Sequence, residues 1–296
     1  MPELPEVETI ARELNARLSG RSILYVRVVR GDVLRGAFKD DLEHQCRGRR
    51  IERVWRRGKT AIVSLSGGWH LLVQPRFTGA ILVDDAPAPS QIETEPADGS
   101  MESISQVEPD APADPYSVIE WELADGGRFR YRDVRRLGTV TLADDAALAH
   151  YCARIGVEPL DPEFAPDRLS GLLRGSRLAI KKALMDQRIV AGVGNIYANE
   201  ALWRGGIDPS REARTLRPDE VERLHEALVT TLRASVLARG TTFRDYRDPS
   251  NRAGGFAAQL HAYGRGGEPC ERCGTRLAET HAIDGRTTVF CHRCQH

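Results

Sequence analysis

The chain has 296 residues, of which 41% are hydrophobic and 28% charged, and its 42 basic residues balance 42 acidic ones. This composition is ordinary for a globular protein, and the length allows one large domain or two to three smaller ones. No apolar run approaches the roughly 20 residues that cross a bilayer, and three glutamates replace the basic start of a signal peptide. We therefore expect a cytoplasmic protein.

The balanced net charge hides a strong asymmetry along the chain. Residues 84–115 hold nine acidic residues, no Lys or Arg, and six of the 16 prolines. Because they have no sustained apolar period, we predict a disordered acidic insertion. The rest of the chain has 33 acidic residues against 42 basic ones, a net charge of +9. A basic surface of this kind favours a nucleic-acid partner.

The first predicted element is an amphipathic helix over residues 5–18. Val7, Ile10, Leu14 and Leu18 recur at spacings of three and four, and Gly20 ends the pattern. The prolines and glutamates of "MPELPEVETI" fit the chemistry of a helix start. Pro2 and Glu3 lie one turn too early for that role. The amine at the start of the chain is therefore a candidate reactive group.

Short apolar or alternating runs follow, separated by turn residues, and a strong hairpin forms around "ADGG". They predict antiparallel strands over 23–29, 51–55, 61–65, 71–73, 80–83 and in the segments "YSVIEWEL" and "RFRYRDV". From Ala146 the period becomes helical. We predict helices over 146–154, 166–174, 176–187, 195–204 and 218–239. The resulting domains are 1–146, 147–261 and 262–296.

Four cysteines near the end of the chain have the spacing of a metal site. Cys270 and Cys273 form one CxxC pair, and Cys291 and Cys294 form another after 17 residues. This spacing is typical of a structural zinc ion with four thiolate ligands. The alternatives are two disulfides, which a cytosolic setting disfavours, or a redox CxxC, which lacks a surrounding βαβ pattern. Cys46 and Cys152 are expected to be buried, inert thiols.

The turn "GVGN" precedes the helix predicted over 195–204. It is no dinucleotide fingerprint, because no third glycine follows and a helix, not a strand, comes before it. The turn brings backbone N–H groups of a helix start close to an anion, with Asn195 as N-cap or side-chain donor and Lys181 adding charge. The alternative is a helical hairpin of the core that binds nothing.

Five segments in order resemble the formamidopyrimidine-DNA glycosylase and endonuclease VIII family of bifunctional base-excision repair enzymes. They are "PELPEVE" at the start, "RRGK" at 56–59, "DVRRLG" at 133–138, "DQRIVAGVGNIYANEAL" at 186–202 and "RTTVFCHRCQ" at 286–295. The resemblance covers nearly the whole chain outside 84–115, and the "ELPEVE" form is closer to the formamidopyrimidine branch.

The resemblance implies an α+β multidomain fold. An N-terminal antiparallel β-sandwich with an N-terminal helix would precede a helix–two-turns–helix domain that ends in a four-cysteine zinc-finger β-hairpin. Double-stranded DNA with oxidised bases or abasic sites would lie in the cleft between the two, and the protein is expected to act as a monomer. The cofactor implied is one structural Zn²⁺.

The resemblance also assigns roles to individual residues. Once Met1 is removed, the secondary amine of Pro2 would attack C1′ of the damaged nucleoside and form a Schiff base, with Glu3 moving protons. The resemblance assigns the remaining catalytic roles to Lys59 and to Arg286, a phosphate contact on the zinc finger. The DNA-binding residues implied are Phe77, Arg135, Leu137, Lys181, Asn195 and Tyr263.

Three segments depart from the family pattern. In the family, a group of side chains fills the gap left by an extruded base, and Phe77 and Leu137 differ from its usual apolar members. Gln74 stands where the family usually has a His. The segment "PADPY" replaces a stretch that contains another His. Residues 247–256 correspond to the flexible loop that closes over that base. Two other functions remain open: an endonuclease VIII-type enzyme for oxidised pyrimidines, and a non-catalytic zinc-finger DNA-binding protein.

Overall fold

The computed structural model of the protein describes residues 1–85 and 114–296. Most of the predicted acidic insertion, residues 86–113, lies outside the described residues. Its edges are described: Asp84 ends a strand and pairs with Arg128 at 2.9 Å, and Asp114 pairs with Arg132 at 2.8 Å. Within the two described ranges, no helix is both long and apolar enough to cross a lipid bilayer.

The described residues form seven α-helices and eleven strands. The helices are α1 Leu4–Leu18, α2 Lys39–Cys46, α3 Asp145–Ala153, α4 Pro166–Leu173, α5 Ile180–Met185, α6 Asn195–Gly205 and α7 Pro218–Leu237. The strands are β1 Ile23–Val28, β2 Leu34–Arg35, β3 Ile51–Arg57, β4 Thr60–Leu65, β5 Trp69–Gln74, β6 Gly79–Asp84, β7 Ser117–Leu123, β8 Arg128–Asp133, β9 Thr139–Asp144, β10 Ala278–Thr280 and β11 Thr288–Phe290.

The first half of the chain is a sandwich of two sheets around one apolar core. A four-stranded sheet has the order β1-β7-β8-β6, and a five-stranded sheet has the order β2-β9-β5-β4-β3. The predicted apolar stripe of α1 is confirmed, because Val7, Ile10, Leu14 and Leu18 are fully buried in this core. The pair β2–β9 is parallel, whereas the other pairs of the sandwich are antiparallel as predicted.

Three elements of this half were not predicted: helix α2, the two-residue strand β2 and strand β9. Helix α2 buries only Leu42 and Cys46, so its apolar period is too short to detect. Strand β9 fills the five-stranded sheet between β2 and β5. Its sequence "TVTLAD" directly precedes a helix that starts one residue earlier than predicted, at Asp145, where Asp144 caps the helix through the Ala147 N–H.

A second core lies among helices α4 to α7. The predicted helix over 176–187 is confined to α5, because Ala179 forms a bridge with Glu212 and so cannot take helical geometry. Leu4, at the start of α1, is fully buried and belongs to this second core. The first residues of the chain therefore pack against helices that lie up to almost 200 residues later in the sequence.

A buried polar network joins the two halves around Glu6. The Tyr197 hydroxyl donates to Glu6 Oε1 at 2.6 Å, the Thr241 N–H donates to the same oxygen at 2.7 Å, and the Glu3 N–H donates to Oε2 at 2.8 Å. Tyr197 also bonds to Ser235 at 2.6 Å. Burial, reinforced by the neighbouring Glu3, raises the pKa of the Glu6 carboxyl. Such a network stabilises only when each member keeps its partners.

Replacing Tyr197 by Phe tests this junction. Because the substitution leaves a buried carboxylate without one of its donors, we expect the free energy of unfolding to fall by about 2 kcal/mol. Tyr25 is 46% exposed, so Tyr25→Phe is the matched control and should change the stability by less than about 0.5 kcal/mol. Urea denaturation measures both, and equal effects would contradict the assigned role of the network.

Candidate active site and nucleic-acid interface

The carboxylate of Glu3 lies at the N-terminus of helix α6. Its Oε1 accepts the Ile196 N–H at 3.0 Å, and its Oε2 lies 3.5 Å from the Tyr197 nitrogen. Glu3 is only 4% exposed. The free N–H groups and the dipole of a helix start stabilise an anion. The anion site predicted at "GVGN" is thus filled by a carboxylate of the same chain.

Two glycines make this approach possible. A Cβ on Gly194 would lie 2.3 Å from the carboxyl carbon of Glu3, and one on Gly192 would lie 2.6 Å from the Cβ of Leu4. Gly192 also has φ +80°, which disfavours other residues. Its carbonyl accepts the Leu4 N–H at 3.0 Å. The motif therefore serves close packing of the chain start against α6.

The N-terminal residues line a cleft of about 500 Å³ between the two halves. Met1, Pro2, Phe77, Tyr263 and Thr287 are among its walls. Pro2 is buried and Met1 is 42% exposed. Burial lowers the pKa of the Met1 amine; Glu3 and Glu6 oppose this shift, and Lys59 adds to it. The Met1 amine is thereby shifted toward the neutral form, which is the nucleophilic form of an amine.

Lys59 sits on the turn between β3 and β4 and is 7% exposed. Burial lowers the pKa of its ammonium, with Glu3 acting against the shift and Arg286 adding to it. The turn is fixed by Glu158, which accepts the Gly58 N–H at 2.7 Å. Lys59 therefore lies on a turn whose backbone is bonded to Glu158, within electrostatic range of Glu3 and the Met1 amine.

Glu158 also holds the strand end next to this turn. Arg57 donates to its Oε1 at 3.0 Å and to the carbonyl oxygens of Ile155 and Gly156 at 2.6 and 2.7 Å. Sequence reasoning assigned "GVEPLDP" only to a connection between helices. The available signal for this role was Glu158 itself, an acidic residue in a segment of mostly apolar and turn-forming residues.

Phe77, Arg135 and Leu137 are exposed residues of the loops that follow β5 and β8. The Arg135 guanidinium lies over the Phe77 ring at 4.6 Å, a cation–π contact. Phe77 and Leu137 are 43% and 44% exposed. Phe77 also has φ +28°, an unfavourable backbone angle for an aromatic residue that is typical of functional sites. The group predicted to enter DNA is thus presented to solvent.

One wall of the cleft comes from the chain just before the predicted loop 247–256. Its contributors are Thr241 and residues 243–246, which precede the predicted segment 247–256. The predicted segment is instead held by Asp248, whose buried carboxylate accepts the N–H groups of Ser250 and Arg252 at 3.0 and 2.8 Å. Sequence alone did not reveal this carboxylate anchor, and closure of residues 247–256 over an extruded base stays a prediction.

Tyr263 reaches the cleft from the segment after α7. Its ring packs on Phe243 at a centroid distance of 5.4 Å. Its backbone N–H donates to Glu200 at 2.8 Å, and the same oxygen accepts the Ala262 N–H at 2.8 Å. Glu200 is fully buried on α6. Sequence reasoning overlooked it, because nothing local marks a helical glutamate as a cap for a distant loop.

Lys181 and Asn195, both predicted to contact DNA phosphates, bond to the zinc-finger hairpin in this structure. The Lys181 side chain is 0% exposed and bonds to three acceptors of the zinc-finger hairpin. The N-cap of α6 is Gly194, and the Asn195 amide donates to the Thr287 carbonyl at 3.0 Å. The charge and amide face the hairpin because the hairpin folds back onto α5 and α6. Arg286, at the hairpin tip, is exposed.

The four cysteines converge as predicted. The Sγ atoms of Cys270, Cys273, Cys291 and Cys294 all lie within 4.8 Å of one another. Four thiolates at this separation suit tetrahedral Zn²⁺ with Zn–S distances of about 2.3 Å. With four protein ligands, the zinc is structural. Of the remaining thiols, burial raises the pKa of Cys46 to about 12, whereas Cys152 is partly exposed, contrary to prediction.

Comparison with known proteins places the chain in a family. Residues 1–140 match the formamidopyrimidine-DNA glycosylase N-terminal domain, 155–247 its H2TH domain, and 267–296 the zinc finger found in FPG and IleRS. The formamidopyrimidine-DNA glycosylase of Thermomicrobium roseum is 41% identical, over 100% of this chain and 99% of the relative. The chain belongs to the formamidopyrimidine-DNA glycosylase family. Members of this family are bifunctional glycosylases and lyases.

Solved structures of the family share the fold. A Lactococcus lactis Fpg mutant in complex with DNA containing Fapy-dG has a TM-score of 0.84 and 30% identity, covering 99% of each chain. The wild-type L. lactis Fpg in complex with DNA containing an oxidised pyrimidine has a TM-score of 0.83 and 29% identity, with the same coverage.

Replacing Gly194 by Ala tests the packing of Glu3 against α6. The new methyl group would overlap the Glu3 carboxyl, so we expect a loss of about 2 kcal/mol in the free energy of unfolding and a displaced carboxylate in a crystal structure of the variant. Gly171→Ala in α4 is the control. Nothing lies within 4 Å of its Cβ position, so this variant should be up to about 1 kcal/mol more stable. An undisturbed Glu3 in Gly194→Ala would reject the argument.

Metal analysis tests the cysteine site. We expect one zinc ion per chain, and we expect the four cluster thiols to react with a thiol reagent only after a chelator removes the metal. Mass spectrometry of the labelled protein identifies which cysteines react. A zinc-free protein whose four cysteines resist labelling would instead indicate two disulfides.

Proposed function

We propose that this protein is a base-excision repair enzyme that removes oxidised purines such as 8-oxoguanine and formamidopyrimidines from duplex DNA and then cleaves the strand. The observation that carries the proposal is the chain start at the wall of a cleft, where Pro2 is buried, the Glu3 carboxylate is anchored on α6 and Lys59 lies within electrostatic range. The family to which the chain belongs supports the enzymatic assignment over a non-catalytic DNA-binding protein.

The nucleophile would be Pro2 after removal of Met1. Its secondary amine attacks C1′, the bond between C1′ and the base breaks, and the electron pair leaves with the base. An α-amine titrates near 7.7–8.0 and Lys near 10.4, so the neutral form is more available at the chain start. Opening of the sugar ring then gives an iminium between Pro2 and C1′.

Glu3 would move the protons of this reaction. Its carboxylate takes the proton that the Pro2 nitrogen loses on bonding to C1′ and gives it to the sugar ring oxygen as the ring opens. The iminium then acidifies the hydrogen on C2′. Loss of that proton expels the 3′ phosphate by β-elimination, and δ-elimination expels the 5′ phosphate. The α6 N–H groups hold the Glu3 carboxyl in one orientation, as a proton-transfer group requires.

The remaining site residues would bind the DNA. C1′ cannot be reached inside the stack, so the damaged nucleotide must be extruded. Phe77, Arg135 and Leu137 would fill the space that it leaves, and Tyr263 would line its new position. Lys59 and the exposed Arg286 would contact phosphates. We further propose that the protein works as a monomer in the cytoplasm, on nucleoid DNA.

Borohydride trapping tests the mechanism. We expect a covalent adduct between the protein and a duplex containing 8-oxoguanine, and an intact mass that lacks Met1. Glu3→Gln should slow adduct formation by about 10²-fold or more, since a proton-transfer group is lost, while the exposed Glu222→Gln is the control. Retention of Met1 with no adduct would reject the proposal.

A second candidate is specificity for oxidised pyrimidines. It is favoured by the L. lactis complex with DNA that contains an oxidised pyrimidine. Cleavage of 8-oxoguanine and thymine glycol duplexes, measured side by side as kcat/KM, separates the two. We expect the 8-oxoguanine duplex to react faster, and the reverse order would assign the protein to the endonuclease VIII type.

A further inference from the structure

The zinc-finger hairpin is held against the helical domain by a buried lysine. Lys181 Nζ lies 2.7 Å from Thr288 Oγ1, 3.1 Å from the Thr287 carbonyl oxygen and 3.4 Å from Asp284 Oδ1. An ammonium has three protons to donate. Each of the three therefore has an acceptor on the hairpin, and the side chain is 0% exposed.

Asp284 is the acidic partner of this lysine and is also buried, with a side chain 3% exposed. Its Oδ1 accepts both the Lys181 ammonium and the Arg286 N–H, the latter at 3.0 Å. Its Oδ2 is buried and has no hydrogen-bond partner among the described residues. The carboxylate therefore depends on Lys181 to offset the cost of its burial.

These contacts fix the residues on both sides of Arg286. Asp284 holds its backbone N–H, and the carbonyl of the next residue, Thr287, accepts from Lys181 at 3.1 Å and from Asn195 at 3.0 Å. Thr287 also lines the cleft. Arg286 itself is exposed and lies within electrostatic range of Lys59. The tip of the hairpin is thus oriented by three partners, of which Lys181 and Asp284 are hidden from solvent.

We propose that Lys181 is a positioning residue that, with Asp284, orients the hairpin so that Arg286 faces the DNA beside Lys59. Lys181 itself touches no phosphate. The inference rests on the proposed function, because it assigns Lys181 a role in the same DNA site. The opposite assignment makes Lys181 a direct phosphate contact and Asp284 an anion that competes with DNA for it.

The two assignments predict opposite signs for Asp284→Asn. If Lys181 positions the hairpin, the substitution leaves a buried ammonium without its counter-charge. Binding to a duplex with a tetrahydrofuran abasic-site analogue should then weaken by roughly tenfold. If Lys181 contacts phosphate, Asp284→Asn frees it and binding tightens. Tighter binding would overturn the inference.

A double variant supplies the rescue. Lys181→Met alone leaves the Asp284 carboxylate buried and unpaired, and we expect weaker binding with slower borohydride trapping. Lys181→Met combined with Asp284→Asn removes both charges at nearly constant volume, so binding and trapping should recover relative to Lys181→Met. A double variant no better than Lys181→Met would contradict the inference, since a lost phosphate contact cannot be restored from within the hairpin.

Salt dependence supplies a readout that loss of stability does not move. A lost phosphate contact lowers the slope of log K against log salt by about 0.9. The rescued double variant should keep the wild-type slope, whereas Arg286→Ala should lose about 0.9. Lys39→Met, which removes an exposed charge on α2, controls for net charge. A double variant with the lower slope of Arg286→Ala would reject the inference.

Two further measurements keep the outcomes separate. Zinc content and melting temperature, measured for each variant, exclude a collapsed hairpin as the cause of weaker binding. If the wild-type protein neither binds the abasic-site duplex nor traps on 8-oxoguanine DNA, the proposed function fails. If the wild type does both and Asp284→Asn binds more tightly, only the inference about Lys181 fails.

Discussion

The site depends on one contact, between the Glu3 carboxylate and the first N–H groups of α6. Glu3 precedes the first helix of the β-sandwich, and α6 belongs to the helical core. A carboxylate at a helix N-terminus is stabilised by both hydrogen bonds and the helix dipole. The contact, together with Leu4 in the second core, brings the chain start to the boundary between the two halves, where the cleft forms.

Helix α6 is the scaffold that carries this contact to the rest of the site. The first N–H groups of α6 bind Glu3. In the middle of the helix, Glu200 accepts the Ala262 N–H of the segment before Tyr263, and Asn199 accepts the Val289 N–H of the hairpin at 2.8 Å. Near the end of the helix, the Trp203 ring stacks on the His261 ring at a centroid distance of 4.7 Å, and the Arg272 guanidinium lies 4.2 Å from the Trp203 ring centroid. The helix has 11 residues, about 16 Å. A single helix therefore orients the chain start, the segment that carries Tyr263 and the zinc finger.

Features defined by local spacing were predictable from the sequence. The apolar period of α1 and the paired CxxC motifs each specify their structure within a few residues, and the structure has both. The glycines of "GVGN" indicated an anion at a helix start, and an anion is there. The family resemblance supplied the architecture and the candidate residues.

The sequence did not reveal side chains whose partners are far along the chain. Glu6 and Glu200 are buried and Glu158 is partly buried. These acids bind backbone N–H groups about 60 to 235 residues away, and no local pattern reveals such a partner. The family resemblance assigned Lys181 to a phosphate contact, and residue type indicates charge but not direction. The hairpin that covers it begins about 100 residues later, so only the folded chain shows that its charge points inward.

The separation between Glu3 and Ile196 is 193 residues. A ribosome needs about 10–40 s to add that length at 5–20 residues per second. A growing polypeptide therefore carries its amine and its carboxylate long before it carries the helix that aligns them. The chemistry of the cleft therefore requires the completed chain. A product of early termination before α6 would contain the amine and the Glu3 carboxylate but not the helix that orients them.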